Sequence, residues 1–196
     1  MRKEKRGQEV FAITPKDLNK LRKYFKTKPI ILSITDFGCN VALRGVDLIN
    51  LKFEDIRENI IRIQEKKTLK YREILLNKVC LKAIKRLEEF YEKKGLERKG
   101  YIFKSLHPSY VKKKIDRPIT LGAVDRYYRK ACMDLQISYP IGTHSLRKTW
   151  GNRVYKKTKN IAIIMIALNH SNASHTLRYI GITQDEINSI YNQFEI

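Results

Sequence analysis

The sequence is short of acidic residues. Only 20 Asp and Glu stand against 41 Lys and Arg, which leaves a formal net charge of +21 over 196 residues. So few carboxylates, with no convincingly spaced cluster among them, speak against a metal nuclease. The same imbalance calls for a polyanionic partner, and nucleic acid comes first. An anionic membrane surface is the weaker rival, because the basic residues are spread through the chain. Long apolar runs are missing as well. None reaches the roughly 18 residues of a membrane span, and no secretory signal is visible, so no membrane association is expected. Cys39, Cys80 and Cys132 form an odd set without ligand-like spacing. They give no disulfide framework and no metal site, and read as small apolar packing residues in a reduced compartment, the cytoplasm. No nucleotide-binding motif and no internal repeat occurs, so neither a cofactor nor a metal is expected.

What is present is a mainly helical pattern. One domain is expected over residues 14–196, after a flexible basic segment at 1–13. Thr14-Pro15-Lys16-Asp17 reads as a capped helix start, and that helix runs to about Lys26. A second, apolar helix follows Pro29 to about Cys39. A third carries Arg44 and Asp47, three apart on one face, so that Asp47 could orient Arg44. Residues 52–76 change period. A strand near Phe53, a strand over 60–63 and a strand over 71–76 make a small antiparallel sheet, with the basic turn 65–70 as a hairpin. Asn77 caps a helix to about Lys94, whose stripe is Cys80, Ile84, Leu87 and Tyr91. Thr120 opens another helix to about Leu135. The fold class is α+β, mainly helical, with one small three-stranded antiparallel sheet.

The chemistry concentrates between Thr143 and Tyr179. With Thr143 as N-cap, His144 and Arg147 share a helical face. Leu146, Trp150 and Val154 mark a core face, and Gly151 leaves room for a ligand or backbone. Ile161 to Leu168 is apolar nearly all round, which predicts a buried helix. Asn169 suits the left-handed position that stops it. His170 follows, and Tyr179 lies nine residues on. A phenol is a poor nucleophile at neutral pH, with a reference pKa of about 10, but serves beside groups that take its proton and stabilise anions. Arginine forks suit a phosphodiester. His107 and His175 have no evident partner and read as surface histidines. At the C-terminus Thr183 to Glu186 forms a capping box, followed by the apolar stripe Ile187, Ile190, Tyr191 and Phe194.

Arg44, in Leu43-Arg44-Gly45-Val46-Asp47, completes a pattern. With it the chain resembles the catalytic domain of the tyrosine recombinases, or phage-type integrases. That family uses an arginine near the start, a lysine in a β-hairpin, a His-x-x-Arg box, a second histidine, and a tyrosine nine residues later. The matching residues are Arg44, Lys67, His144 with Arg147, His170 and Tyr179, and the match covers about residues 14–190. Asn169 departs from the glycine usual there. A helical core-binding domain normally precedes the catalytic one, and none is expected within this chain.

The resemblance implies a site-specific recombinase that cleaves and rejoins double-stranded DNA through a 3′-phosphotyrosyl intermediate. Tyr179 would be the nucleophile, Lys67 the general acid and Asp47 a support for Arg44. Lys66 competes for the role of Lys67, since a hairpin register is easily displaced by one. It further implies four protomers on two DNA sites, a monomer without DNA, and exchange of the helix at 183–196 between protomers. The setting would be the cytoplasm of a bacterial, phage or mobile-element host. One alternative is a type IB topoisomerase-like relaxing enzyme with the same residues, told apart by pairing of four protomers on two sites. The other is a non-catalytic DNA-binding accessory protein, which would have no need of Tyr179.

Overall fold

The computed structural model describes residues 11–170, 172–180, 188 and 191–193. Of the segment 1–13 expected to be flexible, residues 1–10 lie outside the described residues, whereas Ile13 is buried and donates its N–H to Thr149 Oγ1 at 2.7 Å, which fixes that end to the body. Ile187, Ile190 and Phe194 of the C-terminal stripe also lie outside the described residues; its Tyr191 is helical and exposed.

Helix α1 (Pro15–Tyr24) starts where the side chain of Thr14 accepts the Asp17 N–H, with Pro15 at the first position, where its missing N–H is not needed. Helix α2 (Pro29–Val41) is the central element and is buried along nearly its whole length. It packs against α4 (Lys78–Glu92) and α7 (Thr143–Thr158). The approach to α7 is close: a Cβ on Gly38 would stand 2.5 Å from Leu146 Cδ1. Polar groups on so buried a helix need partners. Ser33 Oγ donates to the Ala83 carbonyl, Thr35 bonds Ile31 O and Tyr128 OH, and Asp36 takes Arg22 at 2.8 Å and Arg86 at 3.0 Å.

The sheet is antiparallel in the order β1 (Ile56–Arg57), β2 (Ile60–Gln64), β3 (Tyr71–Leu75), with Ile61 opposite Ile74. The first strand therefore begins after Phe53, not at it. Residues 53–55 form a 3₁₀ turn, because the Asp55 carboxylate accepts the Lys52 N–H at 2.8 Å and closes the chain locally. Asn77 caps α4, whose Cys80, Ile84, Leu87 and Tyr91 are buried as the stripe requires. After the short α5 (Pro108–Lys112), α6 (Leu121–Asp134) is capped by Thr120 and buries Val124, Tyr128 and Ala131.

Three local expectations change near the cleft. Arg44 is not inside a helix; it is the extended N-cap residue of α3 (Gly45–Ile49), so the spacing to Asp47 does not put the two on one helical face. Helix α7 begins at Thr143 rather than after it. Gly142 is the N-cap, with Ser145 N–H donating to Gly142 O and Ser145 Oγ accepting the Gly142 N–H. Helix α8 (Ile161–Leu168) is not buried all round: Ile164 and Leu168 are enclosed, while Ile166 is 80% exposed. Apolarity on every side predicts burial only where protein lies on every side, and α8 meets the body along one stripe. That stripe joins Ala42 in a small second core, against which Trp150, Val154, Tyr155 and Tyr179 pack. Helix α9 (Ala173–Ile180) closes the unit against α7 and α8.

Candidate active site

Arg147 stands at the floor of this region and is only 1% exposed. Its fork ties two carbonyls together: Nη1 donates to Ala42 O at 2.6 Å, and Nη2 donates to Leu168 O. Both carbonyls are at helix C-termini, where main-chain acceptors run out of intrahelical partners. Ala42 and Asn169 each turn left-handed just there, at φ 56° and 54°. Nη2 also approaches His170 Nε2 at 3.5 Å. Burial lowers the Arg147 pKa to about 10, against the opposing influence of Tyr179, so the group stays cationic at neutral pH.

His170 is oriented from its other side by Thr176, with Nδ1 and Oγ1 3.0 Å apart. Burial, then the charges of Arg147 and Arg44, push its pKa down to about 4. A neutral ring that accepts from Arg147 at Nε2 carries its proton on Nδ1 and donates to Thr176. The ring meets Tyr179 edge to face, with centroids 5.0 Å apart. Arg147 and Lys148 each lie 5.9 Å from the Tyr179 ring centre. Gly151, one turn after Arg147, faces the Tyr179 Cβ, where an added Cβ would rest at 3.7 Å. The small residue thus serves the approach of α9.

Arg44 comes from the opposite wall. Its Nη1 donates to Glu65 Oε2 at 2.6 Å. Asp47 does not orient it. The Asp47 Oδ1 accepts the Lys66 N–H at 2.9 Å instead, which fixes the base of the hairpin turn. Lys67 extends from that turn and is exposed.

Arg44, Lys67, His144, Arg147, His170 and Tyr179 all line one cleft of about 520 Å³. Lys66 does not; it borders a separate hollow with Asp47 and Arg72. His144 lies at the cleft's mouth, where partial loss of water contact, and next the charge of Arg147, lower its pKa. The ring in contact with Tyr179 is that of His170, not His144. Two residues escaped the sequence reading. His175 lines the cleft, its ring 6.1 Å from that of His170. Its spacing of four from Tyr179 on one helix was the available signal. Glu65, buried in a turn full of lysines, gave none. Among the described residues no group of three or more His, Cys, Asp or Glu could hold a metal ion. None of their helices is long and apolar enough to cross a membrane.

Such a cleft can hold a phosphodiester between two guanidiniums, with a phenol beside it and an amine at its edge. Among known proteins, the family described as the phage integrase family matches residues 12–186. YoeC of Bacillus subtilis (strain 168), a probable integrase/recombinase, is 37% identical over 160 residues, covering 81% of each chain. A tyrosine recombinase of Pseudothermotoga lettingae is 28% identical over 182 residues, which is 89% of this chain and 57% of that protein. The chain thus spans most of one relative and little more than half of the other. Among solved structures, the XerA recombinase superposes with a TM-score of 0.74 at 20% identity, over 95% of this chain and 65% of that one. The catalytic domain of bacteriophage HP1 integrase gives 0.62 at 17% identity, over 94% and 95%. At these identities the structures speak for the fold alone.

Proposed function

Since the chain belongs to the phage integrase family of tyrosine-type site-specific recombinases, we propose that it cleaves and rejoins double-stranded DNA through a 3′-phosphotyrosyl link on Tyr179. The observation that carries this reading is the convergence of Arg44, Lys67, His144, Arg147, His170 and Tyr179 on one cleft. The net charge of +21 supplies the attraction to the duplex. The phenolic oxygen of Tyr179 attacks the scissile phosphorus, and the bond to the 5′ oxygen breaks. Lys67 gives that oxygen its proton, leaving a free 5′-hydroxyl. His144, at the mouth of the cleft, is assigned to receive or orient the phenolic proton. Arg44 and Arg147 stabilise the charge that develops on the non-bridging oxygens, each such donor being typically worth about 3 to 4 kcal/mol, and His170 serves by holding the Arg147 fork at Nε2. A 5′-hydroxyl from another strand reverses the sequence. The tyrosyl ester conserves the energy of the broken diester, so no nucleotide is needed.

Strand exchange between two duplexes cuts four strands, and each protomer offers one Tyr179. The working assembly in this reading is therefore four protomers on two sites, with a monomer in the absence of DNA. Its place of action is the cytoplasm of the cell that carries the target DNA. The test is a nicked duplex whose cleavage releases a short fragment and traps the covalent product. After denaturing electrophoresis the wild type should show a protein–DNA adduct. Tyr179→Phe should show none while still binding DNA. An adduct of wild-type yield in Tyr179→Phe would remove Tyr179 from the mechanism.

A further inference from the structure

We propose that Glu65 is a positioning residue for DNA cleavage, holding Arg44 at the cleft and docking the loop that carries Lys67. This rests on the reading of the cleft as a recombinase active site. Glu65 is 0% exposed, and no described acid is more deeply buried. Its Oε2 accepts from Arg44 Nη1 at 2.6 Å, Thr68 Oγ1 at 2.6 Å and Asn169 Nδ2 at 2.9 Å. Its Oε1 accepts from Arg72 Nη1 at 2.9 Å. The donors come from the residue before α3, from the hairpin turn, from the end of α8 and from β3. One carboxylate thus joins four parts of the chain at a single buried point.

Each tie bears on a residue of the cleft. The Arg44 side chain is long and starts from extended backbone, so its direction is not set by a helix. Glu65 takes one terminal nitrogen and leaves the rest of the guanidinium to face the cleft. Lys67 lies between Glu65 and Thr68 in an exposed turn. Fastening Thr68 to a buried acid limits where that turn can carry the lysine. The third donor, Asn169, adjoins His170 and also comes within 3.4 Å of Thr68 Oγ1. Asn169 has the left-handed backbone that a glycine would adopt freely. What its side chain adds is the bond to Glu65, which fixes the lysine-bearing turn to the wall that carries His170.

A carboxylate near an anion-binding site would ordinarily repel the anion. Here it is enclosed and surrounded by two guanidiniums, so the cleft still presents positive charge. Burial alone would raise its pKa, but the hydrogen bonds from Thr68, Asn169 and Arg44 hold it near 2. It is therefore a fixed charge at every pH at which the duplex is intact.

The experiment is single-turnover cleavage of the nicked duplex by the full chain, with an ordinary and a 5′-bridging phosphorothiolate linkage. The variants are Glu65→Gln, Thr68→Val and Lys67→Ala. Glu65→Gln should cleave slower by on the order of 10²-fold, the usual consequence of misplacing catalytic groups by about 1 Å. Thr68→Val keeps the side-chain shape and every ion pair, so its rate is informative even where Glu65→Gln folds poorly. It should lose roughly tenfold, because only the turn is released. The sulfur leaving group needs little protonation. It should restore most of the Thr68→Val loss, as for Lys67→Ala, and only part of the Glu65→Gln loss, since the share carried by Arg44 remains. The proposal is overturned if Thr68→Val cleaves within twofold of wild type, if its loss is untouched by sulfur, or if Glu65→Gln cleaves faster, which would make Glu65 a mask over Arg44. A wild type that forms no adduct overturns the reading of the cleft and the inference with it. A normal wild-type adduct with an unaffected Glu65→Gln overturns the inference alone.

Discussion

Replacing Arg147 by lysine keeps the charge and removes the fork. Arg147 Nη1 and Nη2 reach the carbonyls of Ala42 and Leu168, the ends of α2 and α8. A lysine has one nitrogen and cannot hold both. One carbonyl then stays buried without a donor, which costs about 1 to 3 kcal/mol. For a chain of this length each kcal/mol lowers the melting temperature by about 2 to 4 °C, so Arg147→Lys should melt about 2 to 12 °C below wild type. The loss should be local in origin. Ala42 and Leu168 belong to the small core under Tyr179, so hydrogen exchange should accelerate first in α8 and α9. Cleavage should fall further than stability accounts for, by about 10² to 10³, because a stabilising donor is lost and His170 is released together. DNA affinity at a given salt concentration should barely move, since the charge is unchanged. The measurements are a thermal melt, single-turnover cleavage and a binding titration. A variant that melts within about 1 °C of wild type and cleaves normally would refute the argument that the fork is a staple as well as an anion clamp.

Three further outcomes are expected. Lys67→Ala should slow cleavage by roughly 10² to 10⁴ and be rescued by a 5′-bridging sulfur, whereas Lys66→Ala should need no rescue; the opposite pattern would move the general acid to Lys66. DNA affinity should fall with salt at a log–log slope of about −5 or steeper for six or more phosphates neutralised, and a slope near −1 would assign the charge of the chain to another partner. The His170 pKa lies near 4 in the fold, below the ordinary 6.5, so between those values the unfolded chain binds more protons. Stability tied to His170 should be complete above about pH 6.5 and decline as pH falls toward 4. Melting curves of wild type and His170→Asn that keep the same separation across that range would exclude it.

The features legible in the sequence are those fixed by short separations. Thr14, Asn77 and Thr120 cap their helices because a cap needs only the next three residues. Asn169 turns left-handed because its own side chain tolerates that backbone. The spacing of His144 and Arg147 required only that α7 be a helix. Arg44 shows the limit of this reasoning: the i, i+3 argument for Asp47 fails because the helix starts one residue too late. Helix α8 shows another, since periodicity states which residues are apolar and not what surrounds them. Glu65 was beyond reach. Two of its donors lie in its own hairpin, but Arg44 and Asn169 are 21 and 104 residues away. An acid among three lysines in a turn reads as solvated until those walls are brought to it.

The scarcity of acids takes on a sharper meaning once their placement is known. Among the described residues three acids are buried, and none of the three offsets the surface charge at random. Asp36 joins Arg22 and Arg86, Glu65 joins Arg44 and Arg72, and Asp47 takes the Lys66 amide. Two guanidiniums drawn together would repel one another, and a buried carboxylate between them removes that repulsion where water cannot. The acids inside let arginines converge, and the excess of lysine over surface acid leaves the chain strongly positive toward phosphate. A chain that neutralised its cations uniformly would lose the field that draws DNA to it. One that buried none of its acids could not hold Arg44 beside Arg72. The imbalance of charge and the geometry of the cleft are therefore consequences of the same distribution.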